Sequence, residues 1–236
     1  MKAHRATILL TRPARASERF ARALEVRLRD RVRVLVSPIL RIEPDGRLPD
    51  LGAYRTVIFT SENGVHAVDA PRDARLAYCV GDRTAEAADA AGYRAVSASG
   101  DAAALERRLL ADRPPGPWIH LVGAHQRGNL AETLSAAGHP TDQAVVYRQI
   151  ACGLSQEAAD ELRAGSVILP VFSPRSAALL CAAMPSEAEP PAVVAISDAT
   201  AASWTTAART VRISLQPDAD SMLAAIEEAV EADSPC

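Results

Sequence analysis

Two stretches of the chain end an apolar run on hydroxyl groups. Val57-Ile58-Phe59 runs into Thr60-Ser61 and the turn Glu62-Asn63-Gly64, and Ile168 to Phe172 runs into Ser173-Pro174-Arg175-Ser176. Each reads as a buried strand whose carboxyl end stops at a polar turn before a helix. A helix start offers backbone N–H groups without intrahelical partners, and a neighbouring Ser or Thr adds a hydroxyl, so such a turn can hold an anion. Ser61 with Asn63, and Ser173, are therefore candidate binding groups. Two further apolar runs, ending in VGDRTA and AISDATA, bring Thr84 and Thr200 to the same kind of place. The competing reading is plain helix capping, about 1 kcal/mol for each hydroxyl. A cradle built twice predicts one multiply charged ligand gripped between two halves.

Other chemistries find no support. No Cys-x-x-Cys pair occurs among Cys79, Cys152, Cys181 and Cys236, which read as thiols in a reducing cytosol. His120 and His125 are the closest histidines and lack a metal-ligand spacing. No Ser-His-Asp set, Cys-His set or paired carboxylates stand out, and no G-x-G-x-x-G follows a strand. The only lysine is Lys2, which argues against a receiver-type signalling site. A net charge of −3 and an aromatic share of 4% argue against nucleic-acid binding. No apolar run is long enough to span a bilayer and the N-terminus enters a strand directly, so a cytoplasmic protein is expected. A monomer is expected, since no exposed apolar stripe is evident.

Strands must deliver those turns, and helices must cover the strands. Apolar runs are predicted as strands at residues 6–11, 32–36, 57–59, 77–80, 95–97, 118–122, 143–150, 167–172, 193–196 and 211–213. Helical spacing lies between them, including residues 17–28, 85–91, 102–110, 130–137, 173–183, 201–208 and 221–230. Asp101 and Asp220 are predicted as N-caps of two of these helices. Strands alternating with helices imply parallel sheets covered on both faces, with ligands at the carboxyl ends of the strands. The fold class is α/β, with two similar domains joined by a two-stranded extended linker.

The halves also align with each other. VIFTSENG matches PVFSPRSA, and VGDRTAEAA matches AISDATAAS. Residues 6–36 resemble residues 118–137, which lie inside the first half. The expected solution is a discontinuous domain, 1–36 with 151–236, an inserted domain, 42–145, and a linker ribbon of 37–41 with 146–150.

In this order and spacing the pieces resemble the uroporphyrinogen-III synthase family along essentially the full chain. The matching residues are LLTRP, VSPILRIEP, IFTSENGV, VG-x-x-TA, G-x-x-x-R-x-x-L at 123–130, VVYR, FSPRSA and I-x-x-x-TA at 196–201. The resemblance implies two α/β domains on a two-stranded linker with the active site in the cleft between them. It implies cyclisation of hydroxymethylbilane to uroporphyrinogen III, with ring D inverted, water lost, and no cofactor or metal. The eight carboxylates of that substrate would suit the repeated cradles. Arg12, Arg127, Arg148 and Arg175 would be further carboxylate partners. Tyr147 matches the family's linker tyrosine and would assist departure of the hydroxyl. Ser197 stands where the family often has Gly, and Glu62 adds a negative charge beside a proposed carboxylate site. The alternatives are a non-catalytic two-domain binding module for an anion or tetrapyrrole, and an inactive paralogue.

Overall fold

The computed structural model describes residues 6–70, 73–126 and 128–233. The chain divides into two compact units, Met1–Arg41 with Ala151–Cys236, and Ile42–Ile150.

The first unit is built on five parallel strands: β1 (Ala6–Leu10), β2 (Val32–Val36), β9 (Val167–Val171), β10 (Ala192–Ala195) and β11 (Thr210–Ile213). Their order across the sheet is β11-β10-β9-β1-β2. Side chains alternate between the two faces of a strand. Ile8 and Leu10 accordingly join one core with Phe20, Leu24, Ile168 and Ile226. Leu9 joins another with Leu162, Leu169, Leu180 and Val193. The first core is covered by α1 (Ala14–Leu28) and α9 (Ala219–Asp233), and the second by α6 (Gln156–Ala164) and α7 (Pro174–Ala183). Pro170 lies in β9 and has no N–H to give. The β1–β9 register reaches Ile8 and Ile168 and is not continued to it.

The second unit has six strands in the order β3-β8-β7-β4-β5-β6. These are β3 (Leu40–Pro44), β4 (Thr56–Phe59), β5 (Leu76–Cys79), β6 (Arg94–Ser97), β7 (Trp118–Gly123) and β8 (Thr141–Ala151). The β4–β5, β4–β7, β5–β6 and β7–β8 pairs are parallel. Val57, Phe59, Ile119 and Leu121 face α2 (Glu62–His66) and α3 (Asp82–Ala90) in one core. Ile58, Tyr78 and Trp118 face α4 (Ala102–Asp112) and α5 (Leu130–Ala136) in the other.

Two local expectations are corrected. The last helix is capped by Asp218, whose carboxylate accepts from the Ser221 N–H, and not by Asp220. Because the helix starts at Ala219, Asp220 lies inside its first turn. The helix expected over residues 201–208 is instead a single turn that starts earlier, α8 (Asp198–Ala202). It ends as the Ser203 and Trp204 N–H groups close back on Thr200 and Ala201.

The units share one topology. From the edge inward, β6-β5-β4 followed by β7 and β8 repeats β11-β10-β9 followed by β1 and β2. In each unit three successive strands step one way from a central strand and the remaining strands lie on its other side. The reversal of direction falls between β4 and β7 in one unit and between β9 and β1 in the other.

Candidate functional site

A reversal of strand order leaves a crevice at the carboxyl ends of the two strands that flank it, because their following connections leave on opposite faces. In the second unit that crevice is open. A recess of about 410 Å³ is lined by Thr60 and Ser61 beyond β4, by His120 and Gly123 of β7, by Glu106 of α4 and by Tyr147 of β8. A larger recess, about 490 Å³, lies at the amino ends of β4 and β5, among Asp50, Asp69, Asp73 and Arg75. Its arginine already bonds the Leu51 carbonyl and Asp73. Topology and chemistry, not size, favour the smaller recess.

Tyr147 enters through a β-bulge. The β7–β8 register pairs Val122 with Val145 but Gly123 with Tyr147, so one residue of β8 is skipped. A bulge re-aims the side chains that follow it. Val146 and Tyr147, though consecutive, join the same core. The Tyr147 ring then lies over the α-carbon of Gly123. A Cβ there would sit 2.5 Å from Cζ and 2.8 Å from the phenol oxygen. Only glycine leaves room for this ring, which is 7% exposed.

His120 and Thr60 form the other notable pair. His120 lies opposite Ile58 in the β4–β7 register, and Thr60 follows Ile58 by two residues on the same face. The imidazole Nε2 is 3.1 Å from the Thr60 hydroxyl, while Nδ1 is buried with no hydrogen-bond partner. An unsatisfied buried polar atom costs about 1–3 kcal/mol, and native folds hold few of them. Burial pushes the imidazole down to about 4, so it is neutral at physiological pH. Sequence reading weighs His120 only as a metal ligand. Among the described residues no group of three His, Cys, Asp or Glu is placed to hold a metal ion. The missed signal is a polar residue inside the buried run Trp118–Gly123.

The hydroxyl turns divide into two kinds. Ser61 and Ser173 are N-caps, accepting from the Asn63 and Ser176 N–H groups at 3.2 and 3.1 Å. Ser197 does the same for Thr200. Its difference from glycine thus has a local use, while Gly81, at the matching place before α3, caps without a side chain. Thr84 and Thr200 are not caps. They lie inside the first turns of α3 and α8, 6% and 1% exposed, and the Thr200 hydroxyl is 3.0 Å from that of Ser197. After β4 the helix α2 is a single turn of five residues with Glu62 at its start, which weakens the expected anion cradle there. The turn into α7 is the fuller one: ten residues follow Ser173, with Pro174 at the first position and no acid in the first turn.

At the first unit's reversal, Arg12 follows β1 and places its guanidinium 4.3 Å from the centre of the Phe172 ring, which follows β9 beside Ser173. A guanidinium over an aromatic face is held by the ring quadrupole. Arg175 lies half-buried in the first turn of α7. Arg148 pairs with Asp45 at 3.0 Å. Arg127 lies outside the described residues. Within the second unit the structure gathers Ser61 and Tyr147 at one recess, whereas Asn63 and Thr84 are not among its lining residues. Within the first unit it places Arg12, Ser173 and Arg175 around the β1/β9 reversal.

No helix among the described residues is long and apolar enough to cross a membrane. The family model described as uroporphyrinogen-III synthase HemD matches residues 18–224. No curated protein matches the chain significantly. The crystal structure of uroporphyrinogen-III synthetase from Helicobacter pylori is similar, with a TM-score of 0.63 at 14% identity, over 97% of this chain and 99% of that one. A mutant uroporphyrinogen III synthase from the extremely thermophilic bacterium Thermus thermophilus gives a TM-score of 0.48 at 17% identity, over 96% and 99% of the two chains. The first of these likenesses supports the fold, and the family model covers most of the chain. By that match the chain belongs to the uroporphyrinogen-III synthase family.

Proposed function

We propose that this protein is a hydro-lyase that closes hydroxymethylbilane to uroporphyrinogen III, inverting ring D and releasing water. The observation that carries the reading is the Tyr147 phenol, fixed on Gly123 at the wall of a recess at a strand-order reversal. The substrate is intrinsically reactive. The pyrrole nitrogen pushes electrons toward the hydroxymethyl carbon, the C–O bond breaks, and the departing oxygen needs a proton. A phenol held at that oxygen can share its proton in the transition state. The remaining task is geometric: the bilane must stay folded so that the correct ring carbon attacks the new electrophile. Anion-binding turns and arginines serve this by holding carboxylate arms. Ser173, Arg12 and Arg175 suit that role in the first unit, and Ser61 in the second. Asn63, Thr84 and Thr200, at or beside polar turns that follow strands, and Arg127 are proposed as further contacts. The enzyme is proposed to act as a monomer in the cytoplasm, with no cofactor.

The test is to mix freshly generated hydroxymethylbilane with the protein, oxidise the product and separate the uroporphyrin isomers. Predominant type III is the expected result. Only type I, the product of unassisted closure, overturns the reading and leaves a non-catalytic binding module, to be tested by titration with the bilane. Given type III, Tyr147→Phe is expected to lower kcat by about a hundredfold and raise the share of type I. Wild-type rate and isomer purity in that variant would remove the phenol from the mechanism.

A further inference from the structure

The first unit fixes one of its proposed carboxylate partners more firmly than a surface arginine needs. Arg12 is the second residue after β1. Its carbonyl accepts from the hydroxyl of Ser17, buried in α1, at 2.8 Å. The Thr11 carbonyl before it accepts from the Ile39 N–H, and the Pro13 carbonyl after it accepts from the Ala16 and Ser17 N–H groups. The backbone is thus tied on both sides of Arg12. The side chain is tied as well, with its guanidinium carbon 4.3 Å from the centre of the Phe172 ring. Phe172 in turn meets Phe20 of α1 edge to face, with ring centres 5.1 Å apart and planes at 82°. Phe20 is buried in the α1/α9 core, whereas Phe172 is half-buried at its border. A chain of contacts therefore runs from the core through two rings to a charge. Covering a half-buried ring does not call for a charge: an apolar side chain would serve, without the rotamer freedom that an arginine gives up.

Resting on the proposed reaction, we infer that Phe172 is a positioning residue whose ring face holds the Arg12 guanidinium at the β1/β9 reversal, in the orientation in which Arg12 meets a carboxylate arm of the substrate. A loose arginine must freeze several rotatable bonds when it grips an anion, whereas a stacked one has already lost that freedom. The ring engages the face of the guanidinium and a carboxylate engages its edge, so the two contacts do not compete. Ser173 follows Phe172 directly and caps α7, so one turn sets both the ring and the cap hydroxyl. Phe172 acts on where Arg12 lies, and not on the substrate itself.

The experiment uses the full chain with hydroxymethylbilane as substrate. Phe172→Leu keeps apolar bulk and removes the ring face. It is expected to raise KM about fivefold, the scale of one cation–π contact, with kcat within about twofold. Phe172→Tyr restores an aromatic face and should bring KM back to within about twofold. Arg12→Gln should raise KM about tenfold, and adding Phe172→Leu to it should change KM by less than about twofold, because the ring then has nothing to hold. A merely structural role of Phe172 would raise KM about equally in both backgrounds. Proton NMR of the ligand-free wild type gives a reading that needs no variant to fold: ring shielding should place the Arg12 side-chain resonances upfield of those of the exposed Arg15. Unshifted Arg12 resonances, a wild-type KM in Phe172→Leu or in Arg12→Gln, equal KM values for the Leu and Tyr variants, or additive effects in the double variant would each overturn the inference, while wild-type production of type III left the reaction standing. A wild type giving only type I removes the reaction, and the inference with it.

Discussion

At the residue scale, His120 sets a pH limit on stability. Its unfolded value is the ordinary 6.5, and burial lowers the folded value to about 4. Above pH 6.5 both states are neutral at this residue and it has no linkage effect. Between 6.5 and 4 the unfolded chain binds a proton that the folded chain refuses, so stability falls on acidification. Below 4 both states bind the proton and the loss is complete, at about 3 kcal/mol for a shift of this size. Among the described residues that line the recess, the other titratable groups are Glu106, His125 and Tyr147, and these are common to wild type and a His120→Phe variant. Guanidinium unfolding at pH 7 and pH 4.5 should therefore show a larger drop for wild type than for His120→Phe, by about 2–3 kcal/mol. Parallel pH profiles would mean that the imidazole is solvated or already charged in the folded state.

At the element scale, the bulge between β7 and β8 decides where the phenol goes. Gly123→Ala places a methyl within the Tyr147 ring, and the surrounding strands leave that ring little freedom. The expected cost is about 1–3 kcal/mol in stability, together with a fall in kcat toward that of Tyr147→Phe. A variant with full stability and full rate would show that the ring moves aside freely. The cap of α7 allows a cleaner separation of structure from ligand contact. Ser173→Asp keeps an N-cap acceptor, so stability should stay within about 0.5 kcal/mol, while the added charge should raise KM for an anionic substrate. Ser173→Ala should cost about 1 kcal/mol in the same denaturant titration. An unchanged KM in Ser173→Asp would confine Ser173 to capping.

These elements also mark what can be read in the chain. Apolar runs such as Val57-Ile58-Phe59 and Val167–Val171 are visible because strands buried on both faces need unbroken hydrophobicity, and the structure has strands at both. Ser61 and Ser173 are visible as caps because the cap side chain and the N–H it serves are two or three residues apart. The choice between Asp218 and Asp220 is not, since it depends on where packing starts the helix. Thr84 and Thr200 look like caps because they precede apolar helical residues, but the turn begins three residues earlier. The His120–Thr60 and Gly123–Tyr147 pairs join residues far apart in sequence. They follow from the β4–β7 register and from one skipped residue in β8, which hydrophobic periodicity does not encode.

At the scale of the molecule, one topology occurs twice, and each copy carries cores on both faces of its own sheet. The second copy is continuous in sequence, Ile42–Ile150, whereas the first needs both ends of the chain. Independent cores of this kind are what a folding unit requires. The segment 42–150 should therefore fold alone. Its thermal unfolding should be cooperative, with an enthalpy of about 60–80 kcal/mol as expected for roughly a hundred residues. The His120 ring and its acid sensitivity should survive in that segment, since Thr60, Tyr147 and the lining of the recess all lie within it. Turnover should not survive, because Arg12, Ser173 and Arg175 belong to the other unit. A segment without a cooperative transition would mean that the second unit draws its stability from the first. A segment that still gave type III would place the whole of the chemistry in one copy of the fold, and the arginine turns of the other would then need a different purpose.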